Sequence, residues 1–296
     1  MFKNLLLWVL VFIPAARASD TLWLTDMKKA LKKAAQEKKD LLLNFTGSDW
    51  CIWCRRLHSE VFSQKVFKEE IPKYFVLVEL DFPRAKPQSS NLQKQNREWL
   101  MKLGVQGFPT IFLTDSKGRP YAKTGYLPGG AENYVKHLKK LRELRVSRDK
   151  ALLQAQKAKG AEKAKLLDKA IGSFDPAIIL SSYKDLAQEI IKLDKGNKAG
   201  LKNKYSALFA IADVEKLKQQ GKFKEAAAKA DETFKKLKLS GQFAQDLHFA
   251  KAEALYMAGD KEGAKKSLLA ALQAFPQGDK TLLIKTILKN LFNVEK

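Results

Sequence analysis

The sequence predicts an α/β domain followed by an all-α domain, and the hydrophobic patterning carries this prediction. Strand-like and helix-like patterns alternate over residues 20–140, whereas residues 141–296 are helical in pattern throughout. The length of 296 residues fits two domains of roughly 100–200 residues each. We therefore place a domain boundary near residue 140. No Pro- or Gly-rich linker separates the two parts, so one long helix is expected to bridge them.

The first 18 residues have the pattern of a secretory signal peptide. Lys3 supplies the positive charge, residues 5–12 form an apolar stretch, and residues 16–18 read Ala-Arg-Ala, the small-x-small form of a cleavage site. The apolar stretch is much shorter than the roughly 20 residues of a membrane span. We predict cleavage before Ser19 and a periplasmic or secreted protein, whose domains then cover residues 19–140 and 141–296.

The elements of the first domain follow from local patterns. Predicted strands are short apolar runs rich in β-branched and aromatic residues, and predicted helices have apolar residues at 3.6 spacing. The early alternation implies parallel crossovers and the late hairpin adds antiparallel strands, so we expect a mixed central sheet flanked by helices. In order, the sequence predicts a helix over 22–39, a strand over 41–45, a helix over about 51–63, a strand over 74–80, a loop over 82–90, a helix over 91–103, a strand over 110–113, a turn over 115–118, a strand over 121–125 and a helix from 131.

The second domain contains an internal echo. Residues 221–226 match residues 259–264 at an offset of 38, and both begin with Gly and end with Ala. These small and apolar positions resemble the tetratricopeptide repeat, in which paired helices pack closely and the period is about 34 residues. A four-residue insertion between the two copies would account for the difference between the observed offset of 38 residues and the repeat length of about 34. An unrelated alanine-rich helical bundle is the alternative.

Both cysteines of the chain lie in one Cys-x-x-Cys motif, between a predicted strand and a predicted helix. A two-residue gap at a helix start allows the sulfurs to approach to about 2 Å, as a disulfide requires. The helix N-terminus also lowers the pKa of the first thiol, because its free N–H groups and dipole favour the thiolate. We therefore predict that Cys51 is the nucleophile and that Cys54 is the resolving thiol.

Two other interpretations of the motif stay open. A structural Cys51–Cys54 disulfide would close so small a loop that it removes little chain entropy. His58 lies one turn beyond Cys54, and the three donors together could hold copper(I) or zinc. Two cysteines exclude a four-thiolate zinc site. We expect neither a metal nor another cofactor.

Two motifs together resemble the thioredoxin superfamily. The stretch from Trp50 to Cys54 is similar to its active site, and Phe108-Pro109-Thr110 is similar to its proline loop. The resemblance implies a thioredoxin-like fold, with Pro109 as a cis-proline against the dithiol and Phe108 as its substrate-facing neighbour. It also implies that Trp50 packs near the site, whereas Trp53 is the stronger candidate for substrate contact.

The Gly-Ser-Asp-Trp-Cys-x-Trp-Cys pattern of residues 47–54, together with the loop over residues 84–91, also resembles exported bacterial thioredoxin-like proteins that act in thiol–disulfide interchange. The resemblance predicts a protein-disulfide reductase or isomerase. Asn44 stands where thioredoxin has a buried proton-relaying Asp, so proton transfer must use water or another group. Trp53 cannot donate positive charge to the thiolate, unlike the His of strongly oxidising relatives, which predicts a reduction potential away from the oxidising extreme.

The formal charge of +23 raises nucleic acids and acidic partners as candidates. The excess is spread through both domains, and no basic run is interleaved with aromatic residues, so we predict no nucleic-acid binding. The predicted partners are thiol- or disulfide-containing proteins and an upstream thiol redox partner. A homodimer through the helical domain is left open. The alternative function is a redox-responsive scaffold whose helical region recruits partners.

Overall fold

The structure, a computed structural model, describes residues 22–294. The predicted signal peptide, residues 1–18, lies outside the described residues. Within them, five strands form one sheet and all strands precede the long helix that begins at Gly130. The elements up to that helix are β1 (Trp23–Leu24), α1 (Met27–Glu37), β2 (Asp40–Thr46), α2 (Ile52–Leu57), α3 (Lys65–Glu70), β3 (Phe75–Asp81), α4 (Ser90–Leu103), β4 (Thr110–Thr114), β5 (Pro120–Thr124) and α5 (Gly130–Ala155).

The sheet is mixed, in the order β1-β3-β2-β4-β5. β2 lies at its centre with all seven residues buried, parallel to β3 and antiparallel to β4. The parallel pair is joined through α2 and α3, whereas a tight turn with Gly118 at a φ of 76° joins the antiparallel β4 and β5. The predicted mixed sheet flanked by helices is confirmed.

The predicted helix over 22–39 is wrong at its start. Trp23 and Leu24 form the short strand β1, which pairs in parallel with Leu77 and Val78 of β3. The helix begins only after Asp26, whose side chain accepts a hydrogen bond from the Lys29 backbone N–H at 2.9 Å. A strand of two residues is too short to show alternating apolar and polar side chains in the sequence. The capping Asp26 is therefore the one local signal that separates β1 from the helix.

The predicted helix over 51–63 is found, although it is not uniform. α2 is followed by a single π-helical turn over His58–Phe62, which buries Val61 and Phe62. The prediction left out α3, which buries Phe67 immediately afterwards. This segment therefore continues α2 away from the dithiol and anchors it in the core through three buried apolar side chains.

The helical prediction for the second part of the chain is confirmed over the described residues. No helix among residues 22–294 meets the length and apolarity needed to span a bilayer. The helices after α5 are α6 (Gly160–Ile171), α7 (Pro176–Ser182), α8 (Lys184–Leu193), α9 (Leu201–Gln219), α10 (Phe223–Lys236), α11 (Gly241–Met257), α12 (Lys261–Ala274) and α13 (Thr281–Phe292).

The internal echo corresponds to a repeated helical turn. Gly221 joins α9 to α10 with a φ of 73°, and Gly259 joins α11 to α12 with a φ of 87°. Both turns use the left-handed region, which glycine adopts without steric cost. Ala226 and Ala264 are both buried, and each is the fourth residue of its helix, α10 or α12. The tetratricopeptide assignment itself stays a prediction.

The long helix α5 crosses the predicted boundary at residue 140. Its first half buries Tyr134 and Leu138, and its last turns bury Ala151 and Ala155. All four belong to one apolar core that contains the sheet and continues into α6, α8 and α9. The expected bridging helix is therefore present, and the division of the chain at residue 140 stays a prediction.

Candidate active site

The dithiol lies where the buried strand β2 gives way to α2. Cys51 and Cys54 are joined by a disulfide, with their Cα atoms 5.2 Å apart. Cys51 is the N-cap residue of α2, and its Sγ accepts a hydrogen bond from the Cys54 backbone N–H at 3.2 Å. Only 6% of Cys51 and 5% of Cys54 is exposed. When the disulfide is reduced, the same N–H and the helix dipole favour a thiolate on Cys51.

Trp50 connects this turn to the neighbouring loops. Its indole Nε1 donates to the Phe82 carbonyl oxygen at 2.8 Å, and its ring meets the Phe108 ring edge-on at a centroid distance of 5.7 Å. The guanidinium of Arg84 lies 4.1 Å from the Trp50 ring centroid. A side chain on Gly47 would overlap the indole, so glycine is required beneath it. Trp50 therefore orders the residues that lead into Cys51.

The proline loop packs beside this tryptophan. The Phe108–Pro109 peptide bond is cis, as the resemblance implies. The Phe108 ring stacks on Phe82 at 5.1 Å, in addition to its contact with Trp50. A Cβ on Gly125 would lie 3.1 Å from the Pro109 carbonyl oxygen, so the chain after β5 approaches the loop closely only because this residue is glycine.

Trp53, between the cysteines, is half-exposed at 49% and takes part in a separate cluster. Its ring lies 5.2 Å from that of Tyr126, and the Arg56 guanidinium lies 5.6 Å from the Trp53 centroid and 5.3 Å from the Tyr126 centroid. Glu60 accepts hydrogen bonds from Arg56 at 2.5 Å and from the Tyr126 hydroxyl at 2.8 Å. These bonds, that from Arg56 first, lower the pKa of Glu60.

A carboxylate next to the dithiol holds the loop that follows β3. Asp49 accepts hydrogen bonds from the backbone N–H groups of Arg84 at 3.0 Å, Ala85 at 2.7 Å and Lys86 at 3.2 Å. These backbone bonds, that from Ala85 first, lower the pKa of Asp49. The loop that follows β3 is thereby fixed against the turn that precedes Cys51.

Beneath the turn, the central strands carry two polar residues. Asn44 on β2 is buried and pairs in register with Glu79 on β3. The Oδ1 atom of Asn44 has no hydrogen-bond partner among the described residues. Burial, and then the charge of Asp81, raise the pKa of Glu79. Asn44 cannot ionise, so Glu79 is the titratable group of this cross-strand pair.

The structure groups most of the predicted site residues. Trp50, which precedes the Cys51–Cys54 disulfide, contacts Phe108, and Pro109 follows Phe108 through the cis bond. The Trp53 ring instead lies against Tyr126. His58 is exposed on the π-helical turn. No group of three or more His, Cys, Asp or Glu side chains within residues 22–294 is arranged to hold a metal ion.

Sequence reasoning did not find Tyr126, nor the contact between Asp49 and the loop at Arg84. Tyr126 belongs to no sequence motif. It follows β5 and contacts Trp53 only when the sheet has formed. Asp49 is visible in the sequence beside Trp50. Its partners are backbone N–H groups some 35 residues away, and no local pattern predicts those.

Comparison with known proteins agrees with this geometry. The model of a thioredoxin-like domain matches residues 27–142. The chain is 34% identical over 117 residues to the disulfide bond reductase DsbH of Chlamydia pneumoniae, a match that covers 40% of this chain and 70% of DsbH. It is 30% identical over 110 residues to the thioredoxin-related protein DsbJ of the same organism, covering 37% of this chain and 32% of DsbJ.

The solved structure of a DsbH oxidoreductase shares 33% sequence identity with this chain. The alignment covers 42% of this chain and 85% of that one, with a TM-score of 0.40. All of these matches cover less than half of the chain. The paired cysteines, the mixed sheet and the sequence similarity to DsbH place the chain in the thioredoxin-like family of thiol–disulfide oxidoreductases.

Proposed function

We propose that the chain is an exported thiol–disulfide oxidoreductase that reduces or isomerises disulfides in envelope or secreted proteins. The observation that carries the proposal is the position of the Cys51 sulfur at the N-terminus of α2, where it accepts the Cys54 backbone N–H. A helix N-terminus keeps the first thiol reactive near neutral pH. The similarity to a protein named disulfide bond reductase supports the reducing direction.

In the reducing direction, the Cys51 thiolate attacks one sulfur of a substrate disulfide. A mixed disulfide forms, and the other substrate sulfur leaves as a thiolate that takes up a proton. The Cys54 thiolate then attacks the Cys51 sulfur, which releases the second substrate thiol and forms the Cys51–Cys54 disulfide. A partner dithiol must then donate two electrons to restore the reduced protein. In isomerisation, a different cysteine thiolate of the substrate instead attacks the substrate sulfur of the mixed disulfide. A new substrate disulfide forms, Cys51 leaves as a thiolate, and the net redox change is zero.

The neighbouring residues supply the docking edge for the substrate chain. Pro109 and Phe108 stand next to the turn through the contact between Phe108 and Trp50. Trp53 offers an exposed ring at the position between the cysteines. We assign Pro109 and Phe108 to positioning the substrate backbone, Trp53 to side-chain contact, and Trp50 to both packing and contact.

Export is part of the proposal. The Ala-Arg-Ala sequence at residues 16–18 and the apolar stretch before it support cleavage by signal peptidase. N-terminal sequencing of protein recovered from a periplasmic or culture fraction is expected to begin at Ser19. A chain that retains Met1 in the cytoplasm would contradict export.

A second function, binding through the helical part, is favoured by one observation. An apolar groove of about 290 Å³ lies between α11, α12 and α13, lined by side chains such as Phe249, Met257 and Leu291. If the helices form tetratricopeptide-like repeats, this groove would recruit a partner. The dithiol would then regulate binding rather than turn over. Partner binding that is independent of both cysteines would favour this function.

The experiment that separates the two functions uses a matched pair of single-cysteine variants. Cys54→Ser leaves the attacking thiol without its resolving partner, so it is expected to accumulate mixed disulfides with substrate proteins. Cys51→Ser also carries one thiol, yet this thiol lies one turn into the helix and is expected to trap far less. Both variants should lose disulfide reductase turnover with insulin. Unchanged turnover in Cys51→Ser would overturn the proposed function.

A further inference from the structure

Three cationic side chains surround the approach to the dithiol without acidic partners. Arg55, Arg84 and Lys86 are all exposed, and none of their charged side-chain nitrogens lies within 4.0 Å of a carboxylate oxygen among residues 22–294. Arg56, by contrast, is paired with Glu60. We call Arg55, Arg84 and Lys86 the cationic rim.

The cationic rim is held in place by the residues just before Cys51. The Arg55 guanidinium donates to the Asp49 carbonyl oxygen at 3.2 Å, the Arg84 guanidinium lies over Trp50, and Lys86 Nζ reaches Ser48 Oγ at 3.5 Å. The three cations come from two chain segments, yet all three contact residues 48–50. They therefore share one location beside the dithiol.

Three carboxyl groups lie near this rim, and none forms a salt bridge with it. The charge of Lys86 partly offsets the rise in the pKa of Glu79, which is half-buried on β3. The Asp49 carboxylate is turned toward the backbone N–H groups of residues 84–86, which occupy its oxygens. The carboxylate of Asp81 is likewise engaged by the Ser48 hydroxyl at 2.6 Å and by its N–H at 2.9 Å. The carboxylates of Asp49 and Asp81 are thus bound to groups of the protein, whereas the three cationic side chains are exposed to a ligand.

Two apolar side chains are exposed in the same region. Ile52 is 66% exposed and Trp53 is 49% exposed, directly between the two cysteines. A small anion would leave these side chains in water, whereas a polypeptide segment can cover them while it meets the cations. The combination indicates a polypeptide ligand with negative charge.

We propose that the cationic rim selects substrate proteins whose reactive cysteine is flanked by acidic residues, with Ile52 and Trp53 covering apolar neighbours of that cysteine. This inference rests on the proposed function and names its substrate class. Its physical basis is electrostatic steering of the encounter, which raises association rates and weakens as ionic strength increases.

The test uses two peptides that differ only in the charge of the residues around one cysteine, with Glu in one and Lys in the other. Each cysteine is joined in a disulfide to a small neutral thiol. The reduced protein is mixed with each peptide, and its oxidation is followed by tryptophan fluorescence. The protein dithiol is oxidised to the disulfide while the peptide and the small thiol are released, so no other reductant is needed. Reaction with dithiothreitol corrects for the intrinsic reactivity of each peptide.

The expected result is a corrected rate ratio of roughly 10 or more in favour of the Glu peptide at low ionic strength. The ratio should fall toward one in about 0.5 M salt, where the screening length is only a few ångströms. The triple variant Arg55→Gln, Arg84→Gln, Lys86→Gln should reduce the ratio to about 3 or less.

A charge-matched control separates the rim from the overall positive charge. Lys224→Gln, Lys235→Gln, Lys266→Gln removes three exposed lysines of the helical part that have no acidic partner within 4.0 Å among residues 22–294. This control should keep the wild-type ratio. Equal corrected rates for the two peptides with the wild-type protein would overturn the inference. A fall of the rate ratio in the control variant as large as that in the rim variant would also overturn it. Failure of both peptides to oxidise the protein would instead overturn the proposed function.

Discussion

At the scale of single residues, the two tryptophans of the motif have different environments. Trp50 is held by a hydrogen bond to Phe82 and a ring contact with Phe108, whereas Trp53 is half-exposed beside Tyr126. The sequence resemblance anticipates this contrast. It could not identify the partners, because Phe82 and Tyr126 approach only when the sheet is formed.

The contrast predicts different costs of substitution. Trp50→Phe loses the indole N–H and leaves the Phe82 carbonyl without its donor, so it should lower the free energy of unfolding by about 1–3 kcal/mol. Trp53→Phe keeps an aromatic ring at an exposed position and should change the free energy of unfolding by less than about 1 kcal/mol. Urea unfolding of both variants measures the difference. Equal losses would contradict the assigned roles.

The cross-strand pair of buried Asn44 and half-buried Glu79 predicts a pH effect on stability. Burial raises the pKa of Glu79, so the folded protein holds this proton more tightly than the unfolded chain does. The contribution of Glu79 to stability is therefore fully present below the unfolded pKa of about 4.3 and is lost as the pH rises through the folded value. Relative to wild type, Glu79→Gln should gain stability between pH 4 and pH 8, as measured by urea unfolding. A pH-independent difference would contradict the raised pKa.

At the scale of elements, the site depends on the junction of β2 with α2 and on the loop that follows β3. The sequence predicts the strand and the helix start correctly, since a continuous apolar run and a Gly-Ser-Asp break are local signals. The sequence does not predict β1 or α3. β1 has only two residues, too few to show the alternation of apolar and polar residues that marks a strand. α3 has only six residues, and its one buried side chain, Phe67, gives no helical periodicity in the sequence.

The contact of Asp49 with residues 84–86 predicts that the loop depends on this carboxylate. Asp49→Ala removes the acceptor of three backbone N–H groups, so the amides of Arg84, Ala85 and Lys86 should exchange faster with solvent. Hydrogen exchange followed by mass spectrometry or NMR measures this change.

Asp175→Ala is the matched control for the loop, because Asp175 also accepts a backbone N–H, that of Ala177 at the start of α7, and does not contact the amides of residues 84–86. It should leave the exchange of residues 84–86 unchanged. If these amides exchange at the wild-type rate in Asp49→Ala, contacts other than the Asp49 carboxylate hold the loop, which would contradict the prediction.

At the scale of the whole molecule, an ion-pair network links the sheet to the helical part. Arg148 on α5 is buried and pairs with Asp115 in the turn between β4 and β5 at 3.0 Å. It also donates to the Tyr183 hydroxyl at 2.6 Å. Asp40 at the start of β2 meets Arg145 of α5 at 2.8 Å. The sequence predicts the long helix but not these pairs, because they join residues far apart in the chain.

This network predicts that the two parts of the chain unfold together. Arg148→Ala leaves Asp115 and Tyr183 without their buried partner and should cost about 3–5 kcal/mol. Far-UV circular dichroism and the fluorescence of the tryptophans, which among the described residues all precede α5, should report the same lowered urea midpoint. Lys163→Ala breaks the exposed pair with Glu189 and should cost less than about 1 kcal/mol. Separate transitions for the sheet and the helices in wild type would contradict the shared core.

The most direct test of the central claim is the equilibrium reduction potential of the Cys51–Cys54 pair, titrated in thiol redox buffers with tryptophan fluorescence as the signal. The account predicts a reversible two-electron transition at roughly −200 mV or below, in the range of reducing dithiols. A potential near roughly −120 mV would make the protein a disulfide donor and contradict the reductase direction. The absence of any reversible transition would contradict thiol–disulfide exchange altogether.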